Sequence, residues 1–185
     1  MLRARGLSTA ANSFIARAKA ANDARVLLGP FISAGHFDVC LERAAMSCVA
    51  IGDGDVVCDL TVSEALANNF GTLHGGAIST IVDVVGTMAL LSKDPTRAGV
   101  SIEMNQTFCA AAKVGDRVAL FGTVLRHGRT LGFTEVRIRH LPASVAREEA
   151  AALLAAQGPD AHAILETMCG PMVAVGRHTK MFPSN

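Results

Sequence analysis

The spacing of hydrophobic and polar residues changes several times along this chain, and each change marks an element. From Asn12 to about Leu28 it is helical, and Gly29-Pro30 ends the run. Ala45 to Ile51 and Asp55 to Val62 then read as two strands, with Gly52-Asp53-Gly54 between them as a hairpin turn signal. A polar loop follows from Ser63 to His74 and closes on Gly75-Gly76. The stretch from Gly75 to about Leu91 predicts a helix that is apolar almost all round: Ile78, Ile81, Val82, Val84, Val85, Met88, Leu90 and Leu91. Such a helix is normally buried. Its polar residues Ser79, Asp83 and Thr87 recur every fourth position, so they share one narrow seam. Lys93-Asp94-Pro95 stops it.

Strand rhythm resumes after the helix. Val100, Ile102 and Met104 alternate with Ser101, Glu103 and Asn105. Arg117 to Arg126 is a second strand, entered through Gly115-Asp116. Leu131 to His140 is a third, beyond His127-Gly128-Arg129-Thr130. Met172 to Lys180 is the last. Residues 141–170 separate the final two strands. Their Ala- and Leu-rich centre, Val145 to Gln157, looks helical. We read the segment as an insertion in a hairpin, the alternative being a part of the core fold. Two strands, a long buried helix and four more strands predict an α+β domain, with an antiparallel sheet wrapped around a central helix.

Composition narrows the function. The chain has 185 residues, half of them hydrophobic, with a formal net charge of +1. It has no Trp, no Tyr and only eight Phe, so it lacks the basic field of a nucleic-acid binder and is poorly equipped to stack bases. No apolar run reaches the ~18–20 residues that span a bilayer. The five cysteines form no C-x-x-C pair, which argues against a zinc site and for reduced thiols in an intracellular protein. Residues 1–22 carry Arg3, Arg5, Arg17 and Lys19 and no acid, among Ala, Ser and Thr. That is the composition of a mitochondrial presequence; the alternative is a basic surface helix on a cytoplasmic protein.

Four motifs in order carry a family resemblance. They are Asn68-Asn69-Phe70-Gly71-Thr72-Leu73-His74-Gly75-Gly76 leading into the helix with Asp83, then Gly99-Val100-Ser101-Ile102-Glu103-Met104-Asn105, then Gly128-Arg129-Thr130-Leu131-Gly132-Phe133-Thr134, and finally Gly176-Arg177-His178-Thr179-Lys180. With them the chain resembles the hotdog-fold acyl-CoA thioesterases, in particular the thioesterase superfamily member 2 (acyl-CoA thioesterase 13) group. The resemblance covers about residues 25–140 and 171–182. It implies a hotdog fold and hydrolysis of acyl-coenzyme A, with no metal or redox cofactor. It also implies a site shared across a homodimer, two dimers joining as a homotetramer. The catalytic positions it implies are Asn68, Gly75, Asp83 and Ser101, with His74 beside the helix start. Asp83 would act with Asn68 and Gly75 of the neighbouring subunit. For coenzyme A it implies Ser101, Glu103, Phe108, Lys113, Arg126, His127, Gly128, Arg129, Thr130 and Leu131.

The residue types suit that chemistry. A thioester carbonyl gains negative charge as it is attacked. The Gly75 N–H at a helix N-terminus favours such charge, and Asn68 can add a side-chain donor. Asp83 on a greasy helix must be paired, in a cleft or at an interface, since burying it unpaired costs several kcal/mol. It could serve as general base or as nucleophile. Taken singly, Gly75-Gly76 also reads as a tight turn, Asn68 as a loop cap, and Asp83 as part of a solvent-facing seam. Ser101 reads as a solvent-side serine, and His74 as a residue that fixes its loop. Lys113, Arg126, His127 and Arg129 supply cations for the coenzyme A phosphates on two successive strand connections. One departure touches that loop. Phe108-Cys109-Ala110-Ala111-Ala112-Lys113 replaces the Tyr and Ser-Pro-Ala-Lys common in the family, removing a phenol hydroxyl and a rigid Pro.

Two other functions fit the same scaffold. A hydratase needs a His paired with an acid in another arrangement, and His74 and Asp83 lie nine positions apart. An acyl-CoA sensor or interaction protein on a retired enzyme would draw on the 141–170 insertion, but the intact set Asn68, Gly75, Asp83 and Ser101 argues against lost catalysis.

Overall fold

The computed structural model describes Phe37, Cys40, Leu41, residues 46–146 and residues 161–183. The helix expected over Asn12 to Leu28, the basic segment 1–22 and most of the helix expected over Val145 to Gln157 lie outside these residues. The elements are β1 (Ser47–Ile51), β2 (Asp55–Thr61), a 3-10 turn (Glu64–Leu66), α1 (Gly75–Lys93), β3 (Val100–Phe108), β4 (Arg117–His127), β5 (Leu131–His140), α2 (Ala161–Met168) and β6 (Met172–Met181). The six strands form one sheet in the order β1-β2-β4-β5-β6-β3, and every neighbouring pair is antiparallel. The first hairpin turns where the glycines are: Gly54 sits at φ 97°, and Gly52 N–H donates to Asp55 O at 2.7 Å.

Helix α1 lies across one face of this sheet. Ile78, Ile81, Val82, Val85 and Met88 pack with Val56, Cys58, Leu60, Leu120, Val136 and Ile138 in a single buried cluster. Each such side chain stabilises the fold by roughly 1.5–3 kcal/mol through burial. Strand β5 shows the alternation that makes this possible: Gly132, Thr134, Val136 and Ile138 are buried, and the residues between them are not. Two strand glycines lie directly under the helix. A Cβ on Gly122 would come within 2.9 Å of the Val85 carbonyl oxygen, and one on Gly176 within 2.6 Å of Val82 Cγ2. Their bare backbones let α1 lie low on the sheet, within reach of side chains from β6. By length and composition α1 could cross a membrane, but it is the core helix.

The opposite face of the sheet has its own small cluster, of Val57, Ala119, Phe121, Leu141, Val145 and Leu165. Leu165 comes from α2, between β5 and β6. Glu166 beside it forms a two-pronged ion pair with Arg137, at 2.9 and 3.0 Å. Strand β3 is the contrast. It is an edge strand, longer than the alternation over residues 100–105 predicts, and its residues are exposed but for the half-buried Gln106. Val100, Ile102, Met104 and Phe108 are large apolar side chains left in the open on it.

Candidate active site

The first half of the site is built around the start of α1. His74 is its N-cap, with Nδ1 accepting the Gly76 N–H at 2.8 Å. His74 therefore fixes the turn, and its other ring nitrogen carries the proton. The Gly75 N–H is left without an acceptor among the described residues, at the positive end of a 19-residue helix. Asn68 is held by its own loop: Oδ1 accepts from Phe70 N–H at 2.9 Å and Thr72 N–H at 3.2 Å. This points Nδ2 at Thr72 Oγ1, 2.9 Å away, which can occupy only one of its two hydrogens. Asn68, Gly75, Leu73, Ile78 and Phe108 line a common cavity of about 380 Å³, so two N–H donors and an apolar wall share one space.

The second half lies further along the same helix. Asp83 has a half-exposed side chain with three polar neighbours, all on Oδ1. These are Thr87 Oγ1 at 3.4 Å, Lys180 Nζ at 3.5 Å and His178 Nδ1 at 3.6 Å. His178 is fully buried, and its Nε2 lies 2.9 Å from Ser101 Oγ. Burial pushes the His178 pKa below its ordinary value, and Lys180 pushes the same way against Asp83 and Glu103. The ring is neutral at pH 7. A proton on Nδ1, facing the carboxylate, leaves Nε2 to accept the Ser101 hydroxyl hydrogen. His178 thus lies between Asp83 and Ser101, bonded to the serine, while its Nδ1 faces the carboxylate from beyond hydrogen-bond reach and has no other partner among the described residues; Ser101 keeps its lone pairs for a further donor.

These halves do not meet within one chain. Asp83 is eight residues beyond Gly75, and at 1.5 Å per residue that separates them by about 12 Å. Strand β3 spans the gap in the reverse direction. Its first residues lie by the carboxylate, through Ser101 and His178. Its last lies by the cavity, where the Phe108 ring would stand 3.5 Å from a Cβ on Gly75.

The coenzyme A residues divide the same way. Exposed Lys113 is bridged to Thr72 in the loop beside the cavity. Arg126 to Leu131 form the β4–β5 turn at the far end of β4, about 33 Å away along an 11-residue strand. Sequence adjacency of the two connections therefore conceals opposite ends of the domain. Within the turn, His127 is a brace. Its Nδ1 lies 3.2 Å from Arg97 Nη2, and its ring packs on Phe182. Burial and then Arg97 push its pKa below the ordinary value. Arg97 also donates to the carbonyls of Gly128 and Arg129 and stacks on Phe182. Arg126 and Arg129 are the exposed cations there. Glu103 bonds Asn105 and Thr179 along the strands.

Comparison with known proteins agrees with this architecture. The family model "Thioesterase superfamily" matches residues 70–146. Acyl-coenzyme A thioesterase 13 of Homo sapiens is 35% identical over 84% of this chain and 91% of its own length. The mouse form is 31% identical over 78% of this chain and 83% of its own. This chain belongs to the thioesterase superfamily. Zebra fish thioesterase superfamily member 2 superposes with a TM-score of 0.66 at 30% identity, covering 86% of this chain and 95% of that one. The mouse member 2 structure gives 0.65 at 26% identity, over 96% and 100%. The α+β hotdog arrangement of this thioesterase is thereby established.

Reading the sequence missed three residues of the thioesterase's carboxylate cluster. His178 and Lys180 were visible only as part of a strand motif, and Thr87 only as a seam residue. Strand alternation offered a signal for the first two: they sit on the apolar face of β6, with Ala174 and Gly176, where a His and a Lys need a polar partner. Arg97 carried no such signal. Among the described residues no group of three or more His, Cys, Asp or Glu is close enough to hold a metal.

Proposed function

We propose that this thioesterase hydrolyses acyl-coenzyme A to a free acid and coenzyme A at a site completed by a second copy of the chain. One observation carries the reading. The oxyanion half and the carboxylate half are complementary, yet about 12 Å apart on one helix, and β3 joins them along an open, apolar sheet edge. Antiparallel pairing of two such edges, centred between Met104 and Asn105, would set Ser101 of one copy opposite Phe108 of the other. Asp83 then faces the partner's Gly75 and Asn68. It also brings Arg126 and Arg129 toward the partner's Lys113, so cations from both ends can meet one set of phosphates.

The chemistry follows from the groups. The partner's Gly75 and Asn68 N–H groups bind the carbonyl oxygen and the charge that grows on it. Asp83 takes a proton from water as its oxygen attacks the carbonyl carbon. Ser101, its own hydrogen held by His178, accepts the other water hydrogen. The tetrahedral intermediate collapses, the carbon–sulfur bond breaks, and the proton held by Asp83 passes to the departing sulfur, which leaves as the coenzyme A thiol and restores the carboxylate. The apolar wall of Leu73, Ile78 and Phe108 and the similarity to acyl-coenzyme A thioesterase 13 favour a medium- to long-chain fatty acyl group. The basic segment 1–22 favours a mitochondrial location, and two dimers would join as the tetramer that the family resemblance implies.

The test is thiol release from acyl-CoAs of graded chain length and from phenylacetyl-CoA, by wild type and Asp83→Asn, with the solution mass measured alongside. Turnover lost in the variant, from a dimer or a tetramer, is the expected result. Full turnover by Asp83→Asn, or by a monomer, refutes it. Tight acyl-CoA binding without turnover by the wild type would point instead to a sensor.

A further inference from the structure

Two groups beside Asp83 have no part in the steps above. Lys180 is a lysine on the core-facing side of β6, with a side chain only 8% exposed. Its Nζ donates to Thr87 Oγ1 at 2.7 Å and stands 3.5 Å from Asp83 Oδ1. Thr87 donates its own hydrogen to the Asp83 main-chain carbonyl at 2.7 Å, one helical turn back. Its hydroxyl is therefore oriented with a lone pair toward the ammonium. A buried ammonium is costly unless a carboxylate answers it, and Asp83 supplies that charge. Neutral His178 closes the third side of Oδ1, and no contact from the described residues falls on Oδ2. The polar neighbours are gathered on one oxygen of a half-exposed carboxylate, and the other is left for a further partner.

We propose that Lys180 is a positioning residue whose ammonium, held in place by Thr87, clamps Asp83 Oδ1 and so leaves Oδ2 for the attacking water. This rests on the reading of Asp83 as the base. It assigns to Thr87 and Lys180 an effect on turnover and not on substrate affinity, since both side chains are buried and neither lines the cavity beside Gly75.

The test uses the full-length enzyme with Lys180→Met, Thr87→Val and the double variant. The readouts are kcat, KM, the Kd of a non-hydrolysable acyl-CoA thioether, and the melting temperature. A base displaced by about 1 Å loses on the order of 100-fold in rate. Lys180→Met should lower kcat by about that factor and Thr87→Val by roughly 10-fold, with KM and Kd within about twofold of wild type. The double variant should fall no further than Lys180→Met alone, because the two residues form one clamp. Unchanged kcat in either single variant overturns the proposal, as does a double variant whose losses multiply. If Lys180→Met fails to fold, Thr87→Val decides alone by its kcat at unchanged Kd. Asp83→Asn separates the two readings. Turnover retained there refutes the proposed function, whereas turnover lost there but intact in both clamp variants refutes only the clamp.

Discussion

Gly75→Ala tests the oxyanion assignment with little structural disturbance. Gly75 is not among the glycines at positive φ, so an L-residue fits its backbone. A Cβ built there meets only Phe108, at 3.5 Å to Cζ and 3.6 Å to Cε1, which is ordinary contact. Alanine is also the better helix former, by up to about 1 kcal/mol. Stability should therefore hold or rise slightly. The methyl, however, projects into the cavity shared with Asn68, where the thioester oxygen would have to approach the Gly75 N–H. Losing one such donor costs about 2.7–4 kcal/mol of transition-state stabilisation, or roughly 10²–10³ in kcat. Gly76→Ala is the counterpart. Its Cβ would stand 3.1 Å from His74 Nδ1 and disturb the cap, at about 0.5–2 kcal/mol of stability. Steady-state thiol release and thermal melting on both variants settle the matter. A Gly75→Ala enzyme with wild-type kcat would refute the assignment. One that melts well below wild type would refute the claim that the site accepts a methyl.

Two further outcomes are expected. Leu165→Ala should open the cluster that covers Phe121, lowering stability by about 2–3 kcal/mol and the melting temperature by roughly 4–12 °C. Its kcat should not change, since the cluster is on the sheet face away from α1; an unaltered melting temperature would show that α2 does not cover that face. Stability should also fall on acidification. His178 and His127 both have folded pKa values below 6.5, so below that pH the unfolded chain binds protons that the folded chain does not. The unfolding free energy then drops as pH falls, and flattens once the folded pKa values are passed. Urea midpoints at about pH 7 and 5.5, for wild type and His178→Gln, measure it; equal midpoints for the wild type would contradict the buried neutral ring.

The sequence by itself determined the elements and the chemistry types. Periodicity placed α1, β4 and β5 to within a residue or two, because a helix greasy all round and a strand with period-2 alternation each have one stable setting. It also drew attention to Asp83, since a carboxylate on an apolar helix needs a reason, whereas Asn68 and Gly75, which taken singly read as a loop cap and a tight turn, were picked out only by the family resemblance. Only the tertiary structure decided which of these groups share a space. Spacing along a helix is distance, so one chain holds Asp83 about 12 Å from Gly75, and sequence adjacency hid the length of β4 that separates Lys113 from Arg129. His178 and Lys180 come to Asp83 from almost 100 residues away. What brings them there is the pairing of β6 between β5 and β3, and a helix laid low over Gly122 and Gly176. Local patterns record which face a side chain takes. The partner it meets on that face is set by strand order and by the closeness of the packed layers, and those belong to the whole chain.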